Sequence, residues 1–192
     1  MHFCKKKIFQ NQKYAKGLDI NKLCVILENT KMFTKIYWVH QLDNLAKIGI
    51  MARPRGNDWL EDEINHLKNN GVDVLVSLLE KSEIAELGLE YEEKYCLAKN
   101  ISYINLPIKD RDTPQDKNLL EKFIATTILN IKDGKSVVIH CRMGIGRASI
   151  IASSILLHLN IPLNEIIDNI TRTRGLKIPD TEEQLAWLKS RE

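Results

Sequence analysis

Cys141 stands six positions before Arg147 in the stretch VVIHCRMGIGRAS, residues 137–149, with Gly144 and Gly146 between them. These residue types define a chemistry. A thiolate is a nucleophile, a guanidinium fork matches two oxygens of a tetrahedral oxyanion, and glycines let the main chain approach a ligand closely. The apolar run SVVIH reads as a strand, and RASIIASSILLHL as a helix that is apolar nearly all round. The loop therefore leaves the carboxyl end of a strand and enters the N-terminus of a helix, where ligands bind in open parallel sheets. Backbone amides of Arg142, Met143, Gly144, Ile145, Gly146 and Arg147 can converge there on an anion, helped by the helix dipole. The same field is expected to draw the Cys141 thiol below the free value of ~8.5. A nucleophile beside a held oxyanion is the arrangement of phosphoryl transfer. For Cys141 alone, a buried cysteine in a plain strand–helix turn is the simpler reading. The combination of strand, cysteine, five residues, arginine and helix is much more specific.

The elements that must position this loop follow from hydrophobic periodicity. IYWV and KIGIMA read as two short strands joined by a tight turn, and RPRGN as a loop. DWLEDEINHLKNNG reads as a helix with Asp58 as N-cap, Glu61 at the capping-box position, Leu60, Ile64 and Leu67 on one face, and Gly71 as terminator. VDVLVSLL has the continuous aliphatic character of a strand buried on both faces. Helical stretches at 82–86 and 89–100 precede the strand ISYINLP. Residues 115–132 predict a helix burying Leu119, Leu120, Phe123, Ile124, Thr127, Ile128 and Ile131. Helices at about 162–172 and 181–190 close the chain. Strands alternating with helices imply one α/β domain, a central, mostly parallel twisted sheet flanked by helices.

Composition agrees with a folded enzyme-sized domain. The 192 residues are 44% hydrophobic and 28% charged, and no apolar run approaches the ~20 residues of a membrane span. With no secretory signal core evident, the chain is expected to be cytoplasmic. Four cysteines (Cys4, Cys24, Cys96, Cys141) lack metal-ligand spacing, so neither a disulfide framework nor a metal or other cofactor is expected. The net charge of +3 divides unevenly, +6 over residues 1–35 and −3 over the rest. Residues 1–35 thus read as a basic extension ahead of a catalytic domain at 36–192. Either the extension is solvated, or the working start is Met32, or it touches nucleic acid or an anionic surface; without aromatic interleaving, nucleic acid is the less favoured reading.

The loop resembles the active-site signature of cysteine-dependent protein tyrosine and dual-specificity phosphatases, H-C-x-x-G-x-x-R-[S/T], here His140, Cys141, Gly144 and Arg147. The five residues between Cys and Arg argue against a rhodanese-type sulfurtransferase, which has four. LPIKDRDTP resembles the P-I-x-D-x-x-x-P segment of compact dual-specificity phosphatases, including the cyclin-dependent kinase inhibitor-associated kind. The resemblance implies that Asp110, ahead of Asp112, is the general acid, with a raised pKa in the liganded site. TRGLKIPDTEEQ is similar to the region where such enzymes place a water-orienting glutamine, making Gln184 the candidate, with a plain surface residue as the alternative. RPRG-x-DWLEDEI resembles simple bacterial-type members, where Arg53 and Arg55 either line the pocket rim or form a solvated charge pair.

What the resemblance implies is a phosphomonoester hydrolase working through a cysteinyl-phosphate, on a phosphoprotein or another phosphomonoester. A slow or inactive phosphoprotein-binding module and an RNA 5′-triphosphatase are its rivals. The family's Ser or Thr after the arginine is Ala148 here, with Ser149 one residue on and about 100° round the helix. Breakdown of the phosphoenzyme is therefore expected to be slow. His140 reads as a support of the loop's shape, as does Ser149. Cys96 reads as a core residue; the sharper alternative, a redox partner of Cys141, requires Cα atoms within ~7 Å.

Overall fold

The computed structural model describes residues 33–192. The basic extension expected at 1–35 lies almost wholly outside them. Five strands form one sheet in the order β1-β2-β5-β3-β4: β1 (Tyr37–Gln41), β2 (Lys47–Ala52), β3 (Val74–Ser77), β4 (Ser102–Asn105) and β5 (Val137–Cys141). Only β1 is antiparallel; β2, β5, β3 and β4 run the same way. The last strand in sequence inserts between β2 and β3, pairing Cys141 with Ala52 and His140 with both Met51 and Ser77. Cys141 is thereby carried to the carboxyl edge of the central strand, where the flanking strands also end.

Seven helices appear among the described residues: α1 (Leu60–Asn69), α2 (Lys81–Glu86), α3 (Glu92–Ala98), α4 (Lys117–Lys132), α5 (Arg147–His158), α6 (Leu163–Arg174) and α7 (Glu182–Lys189). One core joins Leu60, Ile64, Leu67, Leu89 and Cys96 to Met51, Leu75 and Val138 of the sheet. The other joins Phe123, Ile124, Ile150, Ile155, Ile166 and Leu188 to Ile48, Val76, Val137, Ile139 and Cys141. Successive residues of β5 thus serve opposite faces, as strand geometry requires. Helix α5 is packed between β2 and β5 on one side and helices α4, α6 and α7 on the others, which is why Ile150, Ile151, Ala152, Ser153, Ser154, Ile155 and Leu156 are all buried. The expected α/β architecture is the one observed.

Local capping departs from the sequence reading at one helix. Residues 57–59 form a 3-10 turn, Trp59 precedes the first residue of α1, and no side chain caps it, so the expected Asp58–Glu61 capping box does not form. A reciprocal box forms instead at α2, between Glu80 and Glu83. Helix α4 starts at Lys117 rather than 115 because Asp116 caps it, its side chain accepting from the Leu119 amide at 2.9 Å. In that first turn Leu119 points outward and is 48% exposed, a correction to its expected burial.

Candidate active site

The loop 142–146 joins β5 to α5 and wraps the Cys141 sulfur, which lies in a residue only 3% exposed. Gly144 has φ +66°, and a Cβ there would overlap the Met51 carbonyl and crowd the Ala52 nitrogen. Because both neighbours are backbone of β2, no rotamer change relieves the clash, and only glycine fits. At that position its amide donates to Cys141 Sγ at 3.2 Å. The Arg53 amide donates to Arg142 O at 3.4 Å, and the Ser149 hydroxyl reaches Ile145 O and, at 2.8 Å, Gly146 O. In a planar trans peptide each carbonyl so occupied turns the following N–H to the opposite side. Ser149 therefore serves the loop backbone and is not directed at the cysteine.

Arg147 opens α5 and is 2% exposed. Its Nη1 and Nη2 donate to Glu83 Oε2 at 2.7 Å and Glu83 Oε1 at 2.9 Å, a two-pronged pair. Nη1 also reaches Ile108 O at 2.8 Å, and Nη2 reaches Asp110 Oδ1 at 2.8 Å. Burial alone would lower the Arg147 pKa, but Glu83, Cys141 and Asp110 outweigh it and hold the guanidinium above its ordinary range. Burial pushes Glu83 the other way, yet hydrogen bonds from Arg147 and the Glu80 amide and the charges of Arg147 keep its carboxyl below the usual carboxylate range. Arg142 also leans on this acidic helix, with Nη2 2.5 Å from Glu86 Oε2 and Nε 3.4 Å from Glu83 Oε1.

Asp110, Arg111, Cys141, Met143, Ile145 and Asp180 surround a cavity of about 140 Å³, with Arg142, Gly146 and Arg147 completing its wall. Asp112 faces elsewhere: its Oδ1 accepts from the Thr113 amide at 2.7 Å and Gln115 Nε2 at 3.1 Å, ordinary turn chemistry. Gln184 is fully buried rather than a surface residue. Its Nε2 donates to Asp112 O at 3.0 Å, while buried Oε1 has no hydrogen-bond partner among the described residues and sits against Gly146. Arg53 and Arg55 lie outside the cavity wall; Arg55 pairs with buried Glu63.

His140 points to the opposite face of the sheet. Its Nε2 lies 3.1 Å from Glu92 Oε1 without the alignment of a hydrogen bond, and Tyr103 OH donates to Glu92 Oε2 at 3.2 Å. Cys96 belongs to the same core, across the sheet from the one holding Cys141, and both thiols are free. Burial, with Glu92 and Glu93 adding to it, pushes the Cys96 thiol far up, so it has the character of an inert core cysteine.

Glu83 and Asp180 escaped the sequence reading. Glu83 looks like any charge on a short polar helix, although the spacing Glu80-x-x-Glu83 does hint at a capping box. Asp180 hides between Pro179 and the cap Thr181, and only the return of α7 toward Gly146 brings it to the cavity.

A family model described as polymorphic toxin system, DSP-PTPase phosphatase, matches residues 49–160. No curated protein matches the sequence. Among solved structures, kinase associated phosphatase with serine in place of its catalytic-site cysteine superposes with TM-score 0.70 at 20% identity, covering 82% of this chain and 93% of that one. The active form of Tk-PTP gives TM-score 0.66 at 22% identity, over 82% and 95%. PTPMT1 gives 0.65 at 19% identity, over 82% and 93%. At these identities the likeness is one of fold.

Proposed function

The chain belongs to the DSP-PTPase phosphatase family of polymorphic toxin systems, and from that premise we propose that it hydrolyses phosphomonoesters, as a protein tyrosine or dual-specificity phosphatase, through a cysteinyl-phosphate. The observation that carries this reading is the enclosure of Cys141 Sγ by the Gly144 amide beside an Arg147 guanidinium fixed by Glu83. Incoming phosphate oxygens take over Arg147 Nη2 from Asp110, which frees that carboxyl to face the leaving group. Sγ attacks phosphorus, the bond to the alcohol oxygen breaks, and Asp110 supplies the proton that oxygen takes up. A water then attacks the thiophosphate, aligned by the buried Gln184 Oε1, while Asp110 takes its proton; the S–P bond breaks and inorganic phosphate leaves. Loop amides and Arg147 stabilise the equatorial oxygens throughout.

The cavity's apolar wall, Met143 and Ile145, suits the carbon skeleton of a phosphorylated side chain. A cytoplasmic setting, which keeps thiols reduced, suits the nucleophile. No helix among the described residues is long and apolar enough to cross a membrane. Hydrolysis of p-nitrophenyl phosphate by the wild type, unaffected by chelator and abolished in Cys141→Ser, is the expected result. Comparable turnover by Cys141→Ser would refute the mechanism, and binding of phosphate without hydrolysis by the wild type would mark a binding module. A panel of phosphotyrosine and phosphoserine/threonine peptides then assigns the substrate class.

A further inference from the structure

Two carbonyls of the phosphate loop are held from outside by one side chain. Arg174, the last residue of α6, donates from Nη2 to Met143 O at 2.7 Å and from Nε to Gly144 O at 3.0 Å. Its guanidinium lies over the Tyr37 ring of β1, 4.1 Å from the ring centroid. Gly175 follows with φ +72° and ends the helix, so the chain turns away and leaves the side chain half-buried against the loop.

The consequence is stereochemical. In a trans peptide the carbonyl of one residue and the N–H of the next point in opposite directions. Fixing Met143 O outward directs the Gly144 amide inward, and that amide meets Cys141 Sγ at 3.2 Å. Fixing Gly144 O in the same way directs the Ile145 amide to the same side. The remaining loop carbonyls are held by the Arg53 amide and by Ser149, so these two planes are the ones that depend on the side chain of Arg174. Gly144 has no side chain to hold them, and its left-handed φ is one that glycine adopts and leaves more readily than other residues. The task suits arginine: a rigid fork serves two acceptors and stacks on an aromatic face, which an ammonium cannot do together.

We propose that Arg174 is a positioning residue of the phosphate loop, locking the 143–144 and 144–145 peptide planes so that the Gly144 and Ile145 amides face Cys141 and its phosphate. This rests on the phosphatase reading for its purpose, though not for its geometry.

The test compares wild type with Arg174→Met, Arg174→Lys and Arg172→Met. Arg172 is an exposed arginine on the same helix, bonded to Asn169 at 3.3 Å, and controls for lost charge alone. The pH profile of Cys141 alkylation by iodoacetamide is read first, because it needs no turnover. Arg174→Met is expected to raise its midpoint by about one pH unit, since the thiolate loses an oriented donor. Inorganic phosphate, as an inhibitor of alkylation, is expected to bind about tenfold more weakly. Arg174→Lys should fall between, and Arg172→Met should match the wild type. Unchanged midpoint and phosphate affinity in a folded Arg174→Met protein overturn the proposal, as does an equal shift in Arg172→Met. If Arg174→Met does not fold, Arg174→Lys decides on the same two measurements. If the Arg174 variants show these shifts while the wild type fails to hydrolyse p-nitrophenyl phosphate, the phosphatase reading is lost and the positioning role stands.

Discussion

Glu83 and Arg147 meet edge to edge, with Nη1–Oε2 at 2.7 Å and Nη2–Oε1 at 2.9 Å, inside a site where the arginine is 2% and the glutamate 7% exposed. Such a pair does little for net stability, since desolvating both charges offsets most of their attraction. What it fixes is direction. Removing the carboxylate strands a buried guanidinium, so Glu83→Ala is expected to lose about 3 kcal/mol of stability. It should also lose about a hundredfold in kcat/KM, because Arg147 no longer meets the phosphate in register. Glu83→Gln keeps an acceptor and should lose less in both. Urea unfolding and p-nitrophenyl phosphate kinetics check this; unchanged kinetics in Glu83→Ala rule out the positioning role.

The same carboxyl gives a pH signature. Its folded pKa is depressed below the ordinary carboxylate value, so its stabilisation is fully present above that ordinary value. The stabilisation is lost as pH falls through the lower, folded value. Wild type should therefore lose thermal stability more steeply than Glu83→Gln as acid is added below about pH 4.5, and the two should run parallel above it. Melting curves across that range decide; parallel curves throughout mean Glu83 is not linked.

Asp110 pairs with Arg147 while 58% of its side chain is exposed, so removing it should change stability by under about 1 kcal/mol. Its effect should lie in the chemistry. Asp110→Asn is expected to slow cleavage of an aryl phosphate with a poor leaving group by about 10²–10⁴, and of p-nitrophenyl phosphate much less. A loss that ignores the leaving group would show that Asp110 is not the proton donor.

Gly144→Ala places a methyl group into the Met51 carbonyl at a left-handed φ. The loop must move away from β2, taking the amide off Cys141. Activity and phosphate binding should fall together by at least about a hundredfold, with a stability loss of about 1–3 kcal/mol. Retained phosphate affinity would show that the loop tolerates the shift.

Ala148 is fully buried at the position next to Arg147, and the hydroxyl of Ser149 is committed to backbone carbonyls. Neither residue offers a donor to the departing thiolate. A burst of alcohol release before steady state is therefore expected in the wild type, with Ala148→Ser raising kcat severalfold and shrinking the burst. Equal turnover in the two proteins would remove intermediate breakdown from the rate-limiting role.

The sequence by itself determined the architecture and the immediate surroundings of Cys141. Short β-branched runs such as VVIH and VLVS, bounded by turn residues, read as strands covered on both faces, and the alternation with amphipathic helices points to a parallel sheet. Cys141, Gly144 and Arg147 were legible together because one strand, one turn and one helix contain them, so their spacing is their geometry. Residues that meet the loop from elsewhere were not legible. Glu83 comes from α2, 64 positions before Arg147, and Arg174 reaches back 30 positions to Gly144. A charged residue on a short helix or at a helix end is ordinary in sequence, since i, i+3 and i, i+4 neighbours are all that local pattern encodes. The failed cap at Asp58 and the outward Leu119 have the same origin, for local propensity fixes an element but not the turn in which it starts. Tertiary structure decided those contacts because insertion of β5 between β2 and β3 sets which loops surround its carboxyl end. That insertion is a property of the whole chain, and no single segment carries it.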